Sequence, residues 1–196
     1  MKRLIGSIAT LAATLFIAGA CDNGPTEENS GRVNVLLTDS PFPSADVKSV
    51  DVFVVRIDGK TGDTDDTEAE NESDMSGWTT LVSPNTSINL LSLVDGKTAN
   101  LGATTLPAGT YRGFRLIIDT DKSSVTLNDN TKPSVLWPSA GKSGIKILLA
   151  TPFVLGAGGS TSLLIDFDAG QSFVMRGNSI SQNGLLFKPV VHATTL

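Results

Sequence analysis

The chain has 196 residues, 40% of them hydrophobic and 18% charged, with a net charge of −5. That length and apolar content suit one domain with its own core. The acidic balance, with no basic patch interleaved with aromatics, excludes nucleic-acid binding, and a single cysteine excludes an internal disulfide framework.

The N-terminus reads as an address. Lys2 and Arg3 precede the uncharged apolar run Leu4 to Ile17, and Ala18-Gly19-Ala20 stand directly before Cys21. A positive start, a short apolar run and small residues at a cleavage point make residues 1–20 a lipoprotein signal peptide. The run is shorter than the ~20 residues a spanning helix needs. A thiol just after small residues is the group a diacylglyceryl transferase modifies, so Cys21 is the expected lipidation site. Two or three acyl chains would hold the protein stably, where one gives only marginal binding. Ala18 departs from the Leu or Val usual at that place. The expected location is the bacterial cell envelope, lipid-anchored to a membrane and facing the periplasm or exterior.

Residues 21–31 are polar, with Gly, Pro and no large apolar side chain, and read as a flexible tether. The domain is expected over 32–196. Removing Lys2 and Arg3 with the signal takes the net charge from −5 to −7. An acidic loop at 62–75 carries seven of the acidic residues, Asp63 to Asp74, and no basic one.

Nearly every ordered signal after Arg32 predicts a strand. Arg32 to Thr38 is the first, ended by a turn with Pro41 and Pro43. In Val47 to Ile57, Val50, Val52 and Val54 share one face, with Lys48 and Arg56 at its ends. Trp78 to Val82 and Thr86 to Leu91 follow, with a short helical turn over Leu91 to Val94 as an alternative, then a weak strand at Thr98 to Leu101. A turn at Leu106 to Gly109 leads into Thr110 to Asp119, where Phe114, Leu116 and Ile118 alternate inward. Ser124 to Leu127, Val135 to Trp137, Ile145 to Leu149, Thr161 to Asp168, Ser172 to Met175 and Leu185 to Thr194 complete the series. Pro189 implies an edge strand or a bulge in the last. Short strands punctuated by Gly, Pro, Asn and Asp indicate an all-β fold, a single antiparallel Greek-key β-sandwich of transthyretin or immunoglobulin-like kind.

Several blocks carry a resemblance. They are Gly31 to Pro41, Val47 to Ile57, Leu106 to Tyr111, Arg115 to Asp119, Ser143 to Lys146, Leu164 to Ala169 and Leu186 to Val190. In these, in order, the chain resembles the bacterial envelope family known as domain of unknown function 4382. The resemblance implies a lipoprotein with a sandwich similar to transthyretin-like or carboxypeptidase-regulatory-like modules, and carries over no catalytic residue.

Candidate chemistry is sparse. Asp119 with Asp121, and Asp166 with Asp168, are i, i+2 carboxylates that share a strand face. Such pairs can hold Ca²⁺ or do acid–base work, with Asp39 and Asp51 as further candidates. The competing reading is strand-end carboxylates bonding turn amides. Phe167 in the core would turn Asp166 and Asp168 outward. The acidic loop fails as an EF-hand, because Glu68 occupies the position that needs glycine. His192 is the only histidine, no G-x-S-x-G elbow occurs, and zinc would need more His or Cys. The stretch Gly156 to Ser160 lacks the lysine of a phosphate loop and reads as a turn. Trp78, Trp137, Tyr111 and Phe42 are the aromatics a sugar-stacking platform would use, or they fill the core.

The sequence therefore points to a non-enzymatic binding, adhesion or structural module. The alternatives are a calcium-binding envelope module using Asp119, Asp121, Asp166 and Asp168, and a carbohydrate-binding module. Expected partners are the membrane, through Cys21, and an envelope protein or glycan. No cofactor beyond Ca²⁺ is indicated.

Overall fold

The computed structural model describes residues 29–42, 45–61, 77–138 and 143–196. The signal peptide, Cys21, most of the tether and the acidic loop lie outside the described residues. Along the chain run β1 (Ser30–Asp39), β2 (Val47–Thr61), β3 (Trp78–Val82), β4 (Thr86–Asn89), a 3-10 turn (Leu90–Ser92), β5 (Ala99–Pro107) and β6 (Gly109–Leu127). Then come β7 (Val135–Leu136), β8 (Ile145–Leu155), β9 (Ser160–Phe167), α1 (Ala169–Ser172), β10 (Phe173–Met175), α2 (Ile180–Asn183), β11 (Leu185–Phe187) and β12 (Val191–Thr195). Among the described residues no helix is long and apolar enough to cross a membrane.

The fold is an all-β sandwich. One sheet has the order β12-β9-β1-β5, and the other β3-β2-β6-β8, with β4 also pairing β2. A small third sheet, β10-β11-β7, closes one end. Pairing is antiparallel except for β1 with β9 and β11 with β7, which are parallel. A parallel pair needs a long crossover, and between β1 and β9 the chain builds the whole second sheet. Alternation sets the core. Val33, Val35 and Leu37 of β1, Val50, Val52 and Val54 of β2, Phe114, Leu116 and Ile118 of β6, and Leu163, Ile165 and Phe167 of β9 are all buried.

Strict alternation along β2 would carry Lys48 and Arg56 onto the valine face, and two bulges prevent this. The β2–β6 register shifts between Val47 and Ser49 and again between Val54 and Arg56. Each shift absorbs one residue, so the inward series reads Val47, Val50, Val52, Val54, Ile57. Lys48 is left exposed, and Arg56 is set on the outer side with Asp58.

There Asp58, 1% exposed, faces Arg115, 3% exposed, across the β2–β6 ladder. Arg115 donates to Asp58 Oδ2 from Nη2 (2.8 Å) and Nε (3.2 Å). Arg56 Nε (3.1 Å) and Thr80 Oγ1 (2.9 Å) donate to Oδ1. The Trp78 ring covers the Arg115 guanidinium at 4.5 Å, a cation–π contact.

Three sequence expectations change in detail. Thr98 to Leu101 is part of the longer β5, whose polar residues and Gly102 bulge hid it. Thr110 to Asp119 and Ser124 to Leu127 are one strand, joined where Ser123 Oγ accepts the Phe53 amide and donates to the Asp119 carbonyl. Leu185 to Thr194 is two strands, parted at Pro189; β12, after the break, is an edge strand.

Removing one partner of a buried ion pair strands the other charge. Asp58→Ala is expected to lower unfolding stability by about 3–5 kcal/mol, read by urea titration of tryptophan fluorescence. The Asp58→Ala/Arg115→Met double variant should recover part of that loss; a single variant as stable as the parent would show that the pair holds nothing.

Candidate functional site

Three segments distant in sequence meet at one end of the sandwich. The first is the link from β1 to β2, with Phe42 and Asp46; the second is the end of β6, with Leu127, Asn128 and Asp129; the third is α1 through α2. Between them lies a cleft of about 710 Å³. Leu127, Phe173 and Leu185, all buried, form its floor. Its rim carries Asp46, Asn128, Asp129, Asn178, Ser179 and Ser181, and among the described residues no lysine, arginine or histidine lines it.

Local sequence builds the third wall. The side chain of Asp168 caps α1, its Oδ1 accepting the Gln171 amide at 2.8 Å, and Ser179 caps α2 through the Gln182 amide. Both carry a cap residue followed three places later by glutamine, a helix-start signature. Gly184 ends α2 at φ 71°, where a Cβ would press into the Ser134 carbonyl, so only glycine fits. Behind the floor, Trp137 packs on Phe187 (4.7 Å) and Phe173 (5.6 Å).

Asp39 ties the first sheet to this wall. At the end of β1 its Oδ1 accepts the Ala169 amide at 2.8 Å, the first of α1. It is 5% exposed, and its Oδ2, like Asp166 Oδ1, is buried without a partner. Burial raises its pKa from 3.8 to about 6; the Ala169 and Ser40 amides pull it down, and the Asp168 and Asp166 carboxylates push it further up.

The four aspartates of the calcium expectation are not brought together. Asp119 and Asp121 belong to β6 in the second sheet, Asp166 and Asp168 to the end of β9 in the first. Ile118 and Phe167 fill the core, which turns Asp119 and Asp166 to opposite outer faces. Asp119 pairs with Lys122 at 2.9 Å, which holds its carboxyl below the usual range, and accepts the Asp121 and Lys122 amides. Asp119 and Asp168 thus bond turn amides. Asp51 accepts the Ser49 hydroxyl on β2. Among the described residues no three His, Cys, Asp or Glu are placed to hold a metal ion. The i, i+2 spacing fixes a shared face but not which sheet that face belongs to.

The four aromatics do not form a platform. Tyr111 is buried, stacked on Phe153 and donating its hydroxyl to the Pro107 carbonyl. Trp78 covers Arg115, Trp137 packs behind the cleft floor, and only Phe42 lines the cleft. His192 is exposed on edge strand β12, in register with Asp166. Residues 156–160 form the expected turn, closed by the Gly159 amide on the Gly156 carbonyl. Sequence reasoning missed the cleft because no one segment contains it; the two cap signatures were the available signal.

Fold and cleft define an all-β sandwich with a polar-rimmed pocket at one pole. Over residues 30–189 the chain matches the family model "Domain of unknown function (DUF4382)", and it belongs to that family. A search of curated proteins finds no match.

A raised carboxyl pKa makes folding costlier as pH climbs: stability is complete below the unfolded value of 3.8 and lost as pH rises through about 6. Asp39→Asn keeps the acceptor for Ala169 without the charge. It should melt like the parent near pH 3.5 and be more stable by roughly 3 kcal/mol at pH 7.5, as measured by thermal unfolding across that range. A difference that does not vary with pH would refute a buried, ionising Asp39.

Proposed function

We propose that this chain is a lipid-anchored, non-enzymatic binding module of the bacterial envelope, held through Cys21 and facing the periplasm or exterior. The observation that carries the reading is the position of the cleft. The chain enters β1 at the other pole, where the Ala108 amide donates to the Asn29 carbonyl and the Gly158 amide to the Ser30 carbonyl. The 10 residues of β1, at roughly 3.3 Å each, put Asp39 and the cleft about 30 Å from that entry. A tether joined to Cys21 therefore attaches at one pole and leaves the pocket open at the other. Pockets of 300–1,000 Å³ with an apolar floor and a few polar groups are the usual form of a ligand site. Among the described residues the cleft lining offers side-chain amides, hydroxyls and carboxylates, the polar groups by which a binding site orients a ligand.

Two measurements test it. In a bacterial host the full-length chain should incorporate labelled palmitate and sediment with membranes, and Cys21→Ser should lose the label; an unlabelled parent would remove the anchor. A photo-reactive residue at Ile180, in the cleft, should form adducts in intact envelopes, while one at Val154, 70% exposed on β8, should not. Equal labelling at both positions would remove the cleft.

A further inference from the structure

We infer that the outer face of the small sheet β10-β11-β7 is a second membrane contact, which seats the anchored domain on an anionic phospholipid surface. This rests on the lipid-anchored reading and adds the face and the lipid class by which the domain meets its membrane.

Register builds an apolar row on that face. Val174 pairs with Leu186 in the antiparallel ladder, and Leu186 with Leu136 in the parallel one. Phe173, Phe187 and Leu185, beside them in the strands, are buried, so alternation turns Val174, Leu186 and Leu136 outward. Leu136 is 52% exposed and Val174 44%, with Leu186 half-buried between them. Contiguous apolar side chains rimmed by polar groups mark a contact surface. Phe173, Met175 and Leu185 line the cleft and alternate with the outward residues, so the row lies on the other face of the sheet and its contact leaves the cleft open.

Cations frame the row. The Arg176 amide donates to the Gly184 carbonyl and the Lys188 amide to the Ser172 carbonyl, which carries the β10–β11 ladder one residue further at each end. Arg176 and Lys188 therefore stand two places beyond Val174 and Leu186, both exposed, and Lys132 is exposed four places before Leu136. Among the described residues none of these three is in an ion pair. From Asn130 onward the sequence has five lysines and arginines against two acids, Asp166 and Asp168. The acidic stretch Asp63 to Asp74 is joined to the fold at Thr61 and Gly77, at the far pole where β2 ends beside Tyr111. An anionic surface thus attracts the small sheet and repels the other pole. A peptide strand adds along a sheet edge, whereas this row runs across three strands and meets a plane. Lysine and arginine stems lie along apolar surface while their heads reach phosphate. The nine residue steps from Cys21 to Ser30 span at most about 32 Å, enough for the domain to lie along the membrane.

The test uses the full-length chain, processed in its bacterial host, in single-copy nanodiscs of zwitterionic lipid alone or with about one third phosphatidylglycerol. With Cys21 acylated, Val174→Cys supplies the only free thiol for an environment-sensitive dye. Val154→Cys, at a position 70% exposed on β8, is the control. In anionic discs, lipid-borne nitroxides should quench the Val174 dye at least threefold more than the Val154 dye, and salt should shrink the difference. In the unlabelled parent, hydrogen exchange over residues 184–188 should slow in anionic discs only. Lys132→Gln/Arg176→Gln/Lys188→Gln, shown by melting to be folded, should lose both effects, since each cation is worth about fivefold at such a surface. Equal quenching at the two positions, or an unchanged triple variant, would overturn the proposal. So would shielding of Val174 only in discs holding two copies, which assigns the face to a second copy, or only on adding a Glu–Val hexapeptide, which assigns it to an acidic peptide. If mass spectrometry finds no acyl group on Cys21, the anchor falls. Sedimentation of the chain with anionic vesicles then judges the face by itself: binding lost in the triple variant keeps it, and equal binding overturns it.

Discussion

The structure depends on one constraint: an apolar face must stay continuous along strands too long for plain alternation. β2 and β6 span 15 and 19 residues, and both carry charges where alternation would point inward. A buried, unpaired cation costs several kcal/mol, far more than the loss of one ladder position. The strands therefore bulge at each charge. Val47 and Val50 face inward around Lys48, Val54 and Ile57 around Arg56, and Tyr111 and Phe114 around Arg112. The same shifts set Asp58 against Arg115 on the outer side, where the carboxylate's two oxygens receive donors from Arg56, Thr80 and Arg115. The ion pair is thus a product of the core's register, and it locks that register in turn, because a one-residue slip would break the Asp58–Arg115 contact and invert the valine face.

The parallel partnership of β1 with β9 has a second consequence. Both strands run from the entry pole toward the cleft pole, so the segments after β1 and after β9 emerge together. The first yields Asp39 and Phe42, the second Asp168, α1 and β10. The Asp39–Ala169 hydrogen bond fastens these two exits to each other. With an antiparallel pair, the exits would lie at opposite poles and no such pocket would form.

Much of the fold was legible in the residues. Period-2 runs such as Val50, Val52, Val54 and Phe114, Leu116, Ile118 marked the core, and Pro189 marked the break before an edge strand. Bulges were not legible, because a bulge is defined by the partner strand's register and a single strand's sequence holds no register. β5 was underestimated because Asn100, Gly102, Thr104 and Thr105 pair through backbone groups, to which composition is blind. The site was the least legible. The aspartate pairs have local spacing and attract notice; the cleft has none, since Asp46, Asp129 and Ser179 are neighbours only through the topology.

The buried Asp39 carboxyl sets this pole apart from the other. Asparagine would offer the Ala169 amide the same acceptor, so the carboxyl's second oxygen, buried without a partner, is a cost the hydrogen bond does not require. The cost falls on the element that frames the cleft. α1, β10, α2 and β11 are each 3 or 4 residues long, too short to hold themselves by backbone bonds alone. The opposite pole is framed by the ends of the long strands β1, β5, β6, β8 and β9. Local opening free energies are lowest where apolar contacts are few and elements short, so the cleft wall opens more readily than the sandwich behind it, which keeps its register.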